Sequence, residues 1–185
     1  SDGFYFAIGD SFINFSDLIL PHMNFQGIVL KATPSDNLNF TLAGGARGKG
    51  YWGKDASRNT RPMLPFVGLK ANIKPLKQIS IDIDAVFSTA EGSGNMSGTY
   101  GLGVNYNPFD QLKLSGMAGA NSSSKAWIAE TVYTGSSAYF KGTYRKIPAA
   151  FSTPSDLTSY RGIEGFFISA SLRPFPYIKL SGDVD

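Results

Sequence analysis

The stretch GVNYNPFDQLKLSG (103–116) carries the pattern that decides the fold. Apolar and polar residues alternate up to Tyr106, a turn begins around Pro108, and the alternation resumes at Leu112. Such alternation predicts a strand with one apolar face. Proline suits a strand end, because it needs no ladder donor and its fixed φ favours a turn. The same form, x-Pro-x-x-x-Leu/Ile-x-Leu/Ile/Phe, recurs in KATPSDNLNFTL (31–42), NIKPLKQISIDI (72–83) and LRPFPYIKLSGD (172–183).

The alternation continues along most of the chain. It is cleanest from Ile79 to Phe87, where apolar residues alternate with serine and aspartate. Counting such runs gives ten candidate strands, or eleven if GFYFAIGDS (3–11) is one. Most run for roughly 9–12 residues, the length that a tilted strand needs to cross a bilayer. Strands of soluble proteins are usually nearer about five or six residues.

Two kinds of connection alternate between these runs. One kind is tight, and the other is mostly long, with a short exception near 122–124. Tight turns at one end and long loops at the other are typical of up-and-down outer-membrane barrels. The sequence therefore predicts an all-β fold, an antiparallel up-and-down transmembrane β-barrel, with residues 1–185 as one domain. The tight connections are predicted at 34–37, 75–78, 108–111, 134–136 and 174–177, and the long ones at 10–23, 48–63, 89–97 and 148–162.

Composition removes several other classes of protein. No run of about eighteen apolar residues is present, which excludes a transmembrane helix. The chain has no cysteine, which leaves neither disulfides nor thiolate metal sites. Its net charge of +3 is too small to indicate nucleic-acid binding.

Alternation alone does not tell which face of the sheet lies outside. A soluble barrel or β-sandwich buries its apolar face, and a membrane barrel reverses this arrangement. Strand length, the regular loop asymmetry and ions well inside the strands favour the membrane barrel, because such ions suit a wet lumen. A closed barrel also leaves no unpaired strand edge in lipid.

In these respects the chain resembles Gram-negative outer-membrane β-barrel proteins of the porin type. The resemblance is architectural and covers nearly the whole chain. The segment GDSFINFSDLILPHMNFQGIVLKA (9–32) is also similar to a Gly-Asp…Phe-Ser…Leu-x-Leu-Pro…Gly pattern of large barrels of this kind. The resemblance implies the outer membrane of a Gram-negative bacterium, contact with its lipid, an even strand number and a terminal aromatic residue. Because the chain ends in Asp185, we expect part of a larger barrel, incomplete at one or both ends.

Charged residues concentrate on the strand face opposite the apolar one. A basic excess on a lumen wall would favour anions, although an ordinary solvated face gives the same pattern. Aromatic residues at strand ends predict interfacial girdles, for which the candidates are Tyr51, Trp52, Tyr106, Trp127, Tyr133, Tyr144 and Tyr177. The predicted lumen-lining residues are Lys31, Arg47, Lys70, Lys74, Asp82, Asp84, Lys113, Lys141, Arg145, Arg173, Lys179 and Asp183, and the predicted extracellular loop residues are Lys49, Lys54, Arg58 and Arg61.

Three features suggest other chemistry, and each has a simpler interpretation. GKGYWGK (48–54) resembles a phosphate-binding loop, but Asp55 stands where such a loop needs Ser or Thr, so an extracellular loop is favoured. Asp82 and Asp84 could serve acid–base chemistry or bind calcium, but no third ligand or orienting base is evident nearby, so a pair of lumen acids facing lysines on neighbouring strands is favoured. His22 is the only histidine, which argues against a transition-metal site or a Ser-His-Asp triad. We therefore expect no catalytic residues, no metal site and no cofactor.

Three functions follow as hypotheses. The first is a porin-like channel for passive diffusion of small polar solutes, anions among them. The second is an outer-membrane scaffold that anchors or sheathes a partner protein, such as a secretion component, a surface appendage or an electron-transfer protein. The third is a soluble β-barrel that binds an apolar ligand. A homo-oligomer is compatible with the first two, and the sequence favours no enzyme.

Overall fold

A computed structural model describes residues 3–20, 23–47, 64–89, 96–151, 162–175 and 178–184. For residues 47, 173–175, 178–181, 183 and 184 it describes the backbone alone. Eleven strands form one antiparallel sheet whose spatial order follows the chain. They are β1 (Gly3–Ile13), β2 (Met23–Ser35), β3 (Leu38–Arg47), β4 (Leu64–Leu76), β5 (Ile79–Thr89), β6 (Met96–Phe109), β7 (Leu112–Asn121), β8 (Lys125–Thr134), β9 (Ala138–Ile147), β10 (Ile163–Phe175) and β11 (Ile178–Val184).

The predicted all-β, antiparallel up-and-down architecture is confirmed. Each strand pairs with the next one along the chain, so every connection is a hairpin connection. Within the described residues, β1 and β11 do not pair with each other, and the sheet is open, as in part of a barrel. No helix in the described part of the chain is long and apolar enough to span a bilayer.

Four of the five short turns share one backbone irregularity. The strand pairing shifts register immediately before the turn, and each shift contains the proline of the repeated motif. The β8–β9 pair has no proline there and keeps its register as far as Thr134 and Tyr139. Because proline cannot donate to the ladder, a bulge at this point accommodates it. The four shifts enclose Pro34, Pro75, Pro108 and Pro174.

Backbone hydrogen bonds connect neighbouring short turns to each other. In each case, the last residue of one turn accepts a bond from a residue just before the next turn. In two of the three bonds, the donor immediately precedes a motif proline. The bonds run from Lys74 N to Asn37 O, from Asn107 N to Gln78 O and from Thr134 N to Gln111 O, each at 2.8 Å.

The connections at the other end of the sheet follow the predicted pattern, including its short exception. Residues 122–124 form a tight turn because the Asn121 side chain satisfies the backbone there. Its Oδ1 accepts hydrogen bonds from the amides of Ser123 and Ser124, both at 2.9 Å. The other connections at this end span 14–22, 48–63, 90–95 and 148–162, of which the structure describes residues 14–20, 148–151 and 162.

The sheet is curved, as one long-range contact requires. Ile19 packs at the positions of Gly101 on β6 and Gly119 on β7. In a flat sheet, β1 and β7 would lie about 29 Å apart at about 4.8 Å per strand. Ile19 follows the end of β1 at Ile13 by six residues, which extend over about 20 Å at most. The sheet therefore bends around the segment that carries Ile19.

Candidate functional site

The two faces of the sheet differ in exposure. On β5, Ile83 is 46% exposed, whereas Asp84 is 2% and Val86 is 0% exposed. We call the side that carries Asp84 the inner face and the side that carries Ile83 the outward face. Large hydrophobic side chains are exposed on the outward face of nearly every strand. They include Phe4, Ile8, Ile28, Phe40, Leu42, Val67, Leu69, Ile83, Phe87, Tyr100, Leu102, Val104, Trp127, Phe140, Phe166, Ile168 and Leu172.

The inner face changes character halfway along the strands. Towards the short turns it is polar and partly exposed, and we call this region the polar half. Towards the long connections its residues are small or apolar and buried, and we call this region the covered half. The polar half contains Asn39, Asn72, Lys74, Ser80, Asn105, Lys113 and Ser115, and the covered half contains Ala43, Phe66, Gly68, Val86, Thr99, Gly101, Gly119 and Ala126.

Residues 14–20, part of the β1–β2 connection, cover this second half. We call them the inserted segment. The segment closes on itself, because Phe15 N donates to Leu20 O at 3.0 Å and Ile19 N donates to Ser16 O at 3.1 Å. Leu18, Ile19 and Leu20 are at most 2% exposed, so the apolar part of the segment is withdrawn from solvent.

Glycines of the inner face make room for the inserted segment. A Cβ atom added at Gly68 would lie 2.4 Å from Cε2 of Phe15. One added at Gly101 would lie 2.5 Å from Cγ1 of Ile19. At Gly119 it would lie 3.0 Å from Cζ of Phe151 and 3.2 Å from Cδ1 of Ile19. Three strands therefore lack side chains at the points where the segment and Phe151 pack.

Polar contacts join the inserted segment to the middle of the sheet. The Lys70 ammonium donates a hydrogen bond to the Phe15 carbonyl oxygen. The Ser16 side chain faces the Asp84 carboxylate beneath the segment without a hydrogen bond between them, since Ser16 Oγ and Asp84 Oδ1 are both buried without a partner. Lys70 also forms an ion pair with Asp82 at 3.4 Å. Lys70 thus bridges the segment and the polar half of the inner face.

The burial of the segment is nearly balanced by the cost of ordering it. Burying four large apolar side chains contributes on the order of 6–12 kcal/mol, at about 1.5–3 kcal/mol each. Ordering the backbone of residues 14–20 costs about 7–14 kcal/mol, at about 1–2 kcal/mol per residue. Because these terms are close, the hydrogen bond from Lys70 to the Phe15 carbonyl weighs heavily in keeping the segment in place. The four side chains are those of Phe15, Leu18, Ile19 and Leu20.

Of the two predicted lumen acids whose side chains the structure describes, Asp82 has more polar partners than Asp84. Besides Lys70, it accepts hydrogen bonds from Asn72 Nδ2 at 3.0 Å and from Asn105 Nδ2 at 3.4 Å. Its side chain is 17% exposed. These contacts span β4, β5 and β6, so Asp82 organises the polar half where it meets the covered half.

A second ion pair lies on the inner face of β8 and β9. Lys141 Nζ is 2.8 Å from Glu130 Oε2, and Thr143 Oγ1 donates to the same carboxylate at 3.5 Å. On the same face, the Arg145 guanidinium lies 5.5 Å from the centre of the Phe167 ring. Glu130 therefore neutralises one of the predicted lumen lysines.

The structure brings some of the predicted lumen residues together and leaves others apart. Lys70, Asp82 and Asp84 form one cluster, and Lys141 lies in another. Lys31, Lys74 and Lys113 are exposed towards the short turns, and Lys31 Nζ lies 5.5 Å from the centre of the Tyr5 ring. The backbones of Arg47, Arg173, Lys179 and Asp183 lie on β3, β10 and β11, and their side chains are outside the described part of the structure.

Other predicted features fall outside the described residues. They are the extracellular loop candidates Lys49, Lys54, Arg58 and Arg61, the GKGYWGK stretch, His22, and the girdle candidates Tyr51, Trp52 and Tyr177. Within the described ranges, no group of three or more His, Cys, Asp or Glu is placed to hold a metal ion.

Aromatic and charged residues meet on the outward face towards the long connections. Lys146 and Glu164 form an exposed ion pair at 2.8 Å. Tyr144 OH donates to the same carboxylate at 3.2 Å, and its ring lies 4.7 Å from that of Phe166. Trp127 is paired with Lys146 on the neighbouring strand. Aromatic rings next to charged groups are typical of protein surfaces at a membrane–water interface.

The inserted segment is the feature that sequence reasoning missed. The prediction treated 10–23 only as a long connection. The signal was the apolar run Leu18, Ile19 and Leu20 inside a loop, where polar residues are the rule. The glycines at alternate positions of the facing strands were a second signal, since a strand glycine often marks close approach by another part of the chain.

No protein-family model matches the chain, and no curated protein matches it either. Proposals about its function rest on the two faces of the sheet and on the inserted segment.

Proposed function

We propose that this chain forms the wall of a Gram-negative outer-membrane β-barrel that acts as a porin-like channel for passive diffusion of small polar solutes. The observation that carries the proposal is the orientation of the sheet. Apolar side chains are exposed on the outward face, and the ion pairs Lys70–Asp82 and Lys141–Glu130 lie on the inner face. A membrane barrel needs this arrangement, because its strands alternate apolar-out and polar-in.

The extent of the exposed apolar surface supports a lipid environment. Among the described residues, 24 large hydrophobic side chains of the outward face are exposed, each at 38–74%. If each shows about half of the roughly 150–250 Å² of a large side chain, the total is on the order of 2,000 Å². Soluble monomers seldom expose contiguous apolar patches larger than a few hundred Å². A hydrocarbon solvent removes the penalty that water would impose on such a surface.

The polar half of the inner face offers a path for hydrated solutes. Its acids are held in ion pairs, whereas Lys31, Lys74 and Lys113 are exposed towards the short turns. A wall with exposed lysines and paired acids carries a positive potential, which raises the local concentration of anions. The proposed solutes are therefore small and polar, with a preference for anions.

The proposal requires closed strand edges. Unpaired backbone groups cost several kcal/mol each in hydrocarbon, in the range of about 2–7 kcal/mol. In the membrane, the free edges of β1 and β11 must therefore pair with each other or with further strands. Complete protection of both edges from amide exchange in lipid vesicles is the expected result.

A scaffold that holds a partner protein is the second candidate, and the open edges favour it. The free edges of β1 and β11 could accept strands of another chain. A soluble barrel with an apolar ligand receives less support, because the large apolar side chains point outward while the covered half is occupied by the inserted segment.

Lipid contact of the outward face tests the orientation directly. The chain has two tryptophans, so Trp52→Phe leaves Trp127 as the only one. Brominated lipids should quench its fluorescence strongly, because Trp127 lies on the outward face. A matched control carries Trp52→Phe, Trp127→Phe and Ser115→Trp, which moves the reporter to the inner face. Equal quenching of the two proteins would contradict the proposed orientation.

Channel activity is tested by conductance of the full chain in planar bilayers. A passive channel gives steps that scale with salt concentration, and an anion preference shifts the reversal potential in a salt gradient. A folded, vesicle-inserted protein with no conductance, but with a stoichiometric partner protein, would favour the scaffold instead.

A further inference from the structure

We propose that the inserted segment, residues 14–20, is an apolar stopper that closes the channel along the covered half and must be displaced for solutes to pass. The inference rests on the proposed function, because a stopper has meaning only if the inner face lines a pathway. The segment is then a determinant of permeability that composition and strand pattern do not reveal.

The position of the segment is the first argument. Its side chains reach β4 through Phe15 and both β6 and β7 through Ile19. It therefore lies across the hollow of the curved sheet instead of following its rim. A segment in that position stands between the long connections and the polar half.

The chemistry of the segment is the second argument. Towards the sheet it presents Phe15, Leu18, Ile19 and Leu20, all at most 3% exposed, and Asp17 alone is a charged residue, on its exposed side. Because these side chains and the inner face behind them are buried, no hydrated solute fits between the segment and the covered half. A solute that passes along this half must therefore displace the segment.

The attachment of the segment is the third argument. Its burial and its ordering nearly cancel, as described above, so few contacts separate the seated segment from a displaced one. The polar contact that favours the seated position is the bond from Lys70 to the Phe15 carbonyl. Displacement breaks this contact without breaking any strand pairing, because residues 14–20 belong to no strand.

Two glycines on one strand give a matched test. Gly101 and Gly103 both lie on the inner face of β6 and are both buried. Ala at 101 would place its Cβ 2.5 Å from Ile19 Cγ1, so the segment must shift. Ala at 103 would meet nothing closer than Asp82 Cβ at 3.5 Å, which is ordinary contact. We expect Gly101→Ala to raise the mean single-channel conductance at least about twofold, and Gly103→Ala to leave it unchanged.

A cross-link tests displacement in the opposite direction. The chain has no cysteine, so an introduced pair is unambiguous. In Ile19→Cys/Gly101→Cys, a Cβ at position 101 lies 2.5 Å from the place of Ile19 Cγ1. The two Cβ atoms are therefore at most about 4 Å apart, within the range of about 3.5–4.5 Å that a disulfide requires. Oxidation should fix the segment and abolish conductance, and reductant should restore it. The single variants Ile19→Cys and Gly101→Cys, given the same treatment, should not respond.

The outcomes separate the stopper from the channel itself. Equal conductance in the oxidised and reduced double variant would overturn the stopper and leave the channel proposal intact. A purely structural role for the segment predicts that Gly101→Ala lowers the free energy of unfolding without changing conductance. If wild type, Gly101→Ala and the reduced double variant all insert and fold but none conducts, the channel proposal itself fails.

Discussion

The two halves of the inner face differ although they lie on the same strands. On β4, Lys74 is exposed at the polar half, and Phe66 is 1% exposed at the covered half. The outward face behind them shows no such change, since Val67 and Leu69 remain about as exposed as residues elsewhere on that face. Alternation therefore fixes which way a side chain points, and long-range packing fixes what it meets there.

The largest loss of stability is expected for a substitution in the core of the covered half. Phe66→Ala removes a ring that packs edge-on against Phe25 at 4.8 Å. A buried phenylalanine truncated to alanine costs about 3–5 kcal/mol. Lys74→Ala, on the same strand and face, should stay within about 0.5 kcal/mol. Urea unfolding of the vesicle-inserted protein measures both, and similar losses for the two variants would remove the distinction between the halves.

The next largest loss of stability is expected for a charge introduced on the outward face. Leu102→Arg places a charge at the middle of β6, where Leu102 is 51% exposed. If this face meets lipid, the substitution costs about 2–4 kcal/mol. On a water-exposed surface it would cost less than about 0.5 kcal/mol. Ser115→Arg, on the polar half of the inner face, is the matched control and should unfold like wild type.

The fold was predictable because its rules are local. Each motif proline marks its own turn, and strand alternation assigns a face without reference to distant residues. The single departure from the turn pattern, residues 122–124, was also local, because Asn121 caps it with its own side chain.

The inserted segment was not predictable by the same reasoning. Its place depends on the curvature of the sheet, which brings Gly101 and Gly119 within reach of Ile19. Strand alternation carries no information about curvature. The ion pairs were predictable only in kind. Acids facing lysines followed from alternation, whereas the register sets Lys70 opposite Asp84 and the ion pair forms with the diagonal neighbour Asp82.

A smaller loss of stability is expected at the boundary between the polar half and the covered half. Asp82→Asn keeps the shape of the side chain and removes its charge and one acceptor oxygen, which leaves Lys70 and one amide donor without a full partner. A hydrogen bond to a charged group contributes about 1.5–3 kcal/mol, so a loss of about 1–2 kcal/mol is expected. Glu164→Gln, in the exposed pair on the outward face, should produce no measurable change.

The Asp82 variant also bears on the inserted segment. Lys70 freed from Asp82 still donates to the Phe15 carbonyl, so the segment should remain seated. Conductance should then stay at the wild-type value while the free energy of unfolding falls. A rise in conductance would show that Asp82, through Lys70, holds the segment as firmly as direct contact does.

The smallest effect is expected at the short turns, where sequence and structure agree most closely. Pro108→Ala enlarges the conformational freedom of the unfolded chain, which lowers stability by about 0.4–1 kcal/mol. The bulge should persist, because Asn107 N still donates to Gln78 O in the preceding turn. The converse variant, Thr134→Pro, places a proline where β8 has none and removes the bond to Gln111 O, so it should destabilise by about 1 kcal/mol or more. A stabilising effect of Thr134→Pro would contradict this expectation. The proline would then be sufficient for the bulge, and the backbone hydrogen bonds between neighbouring turns would not be needed to support it.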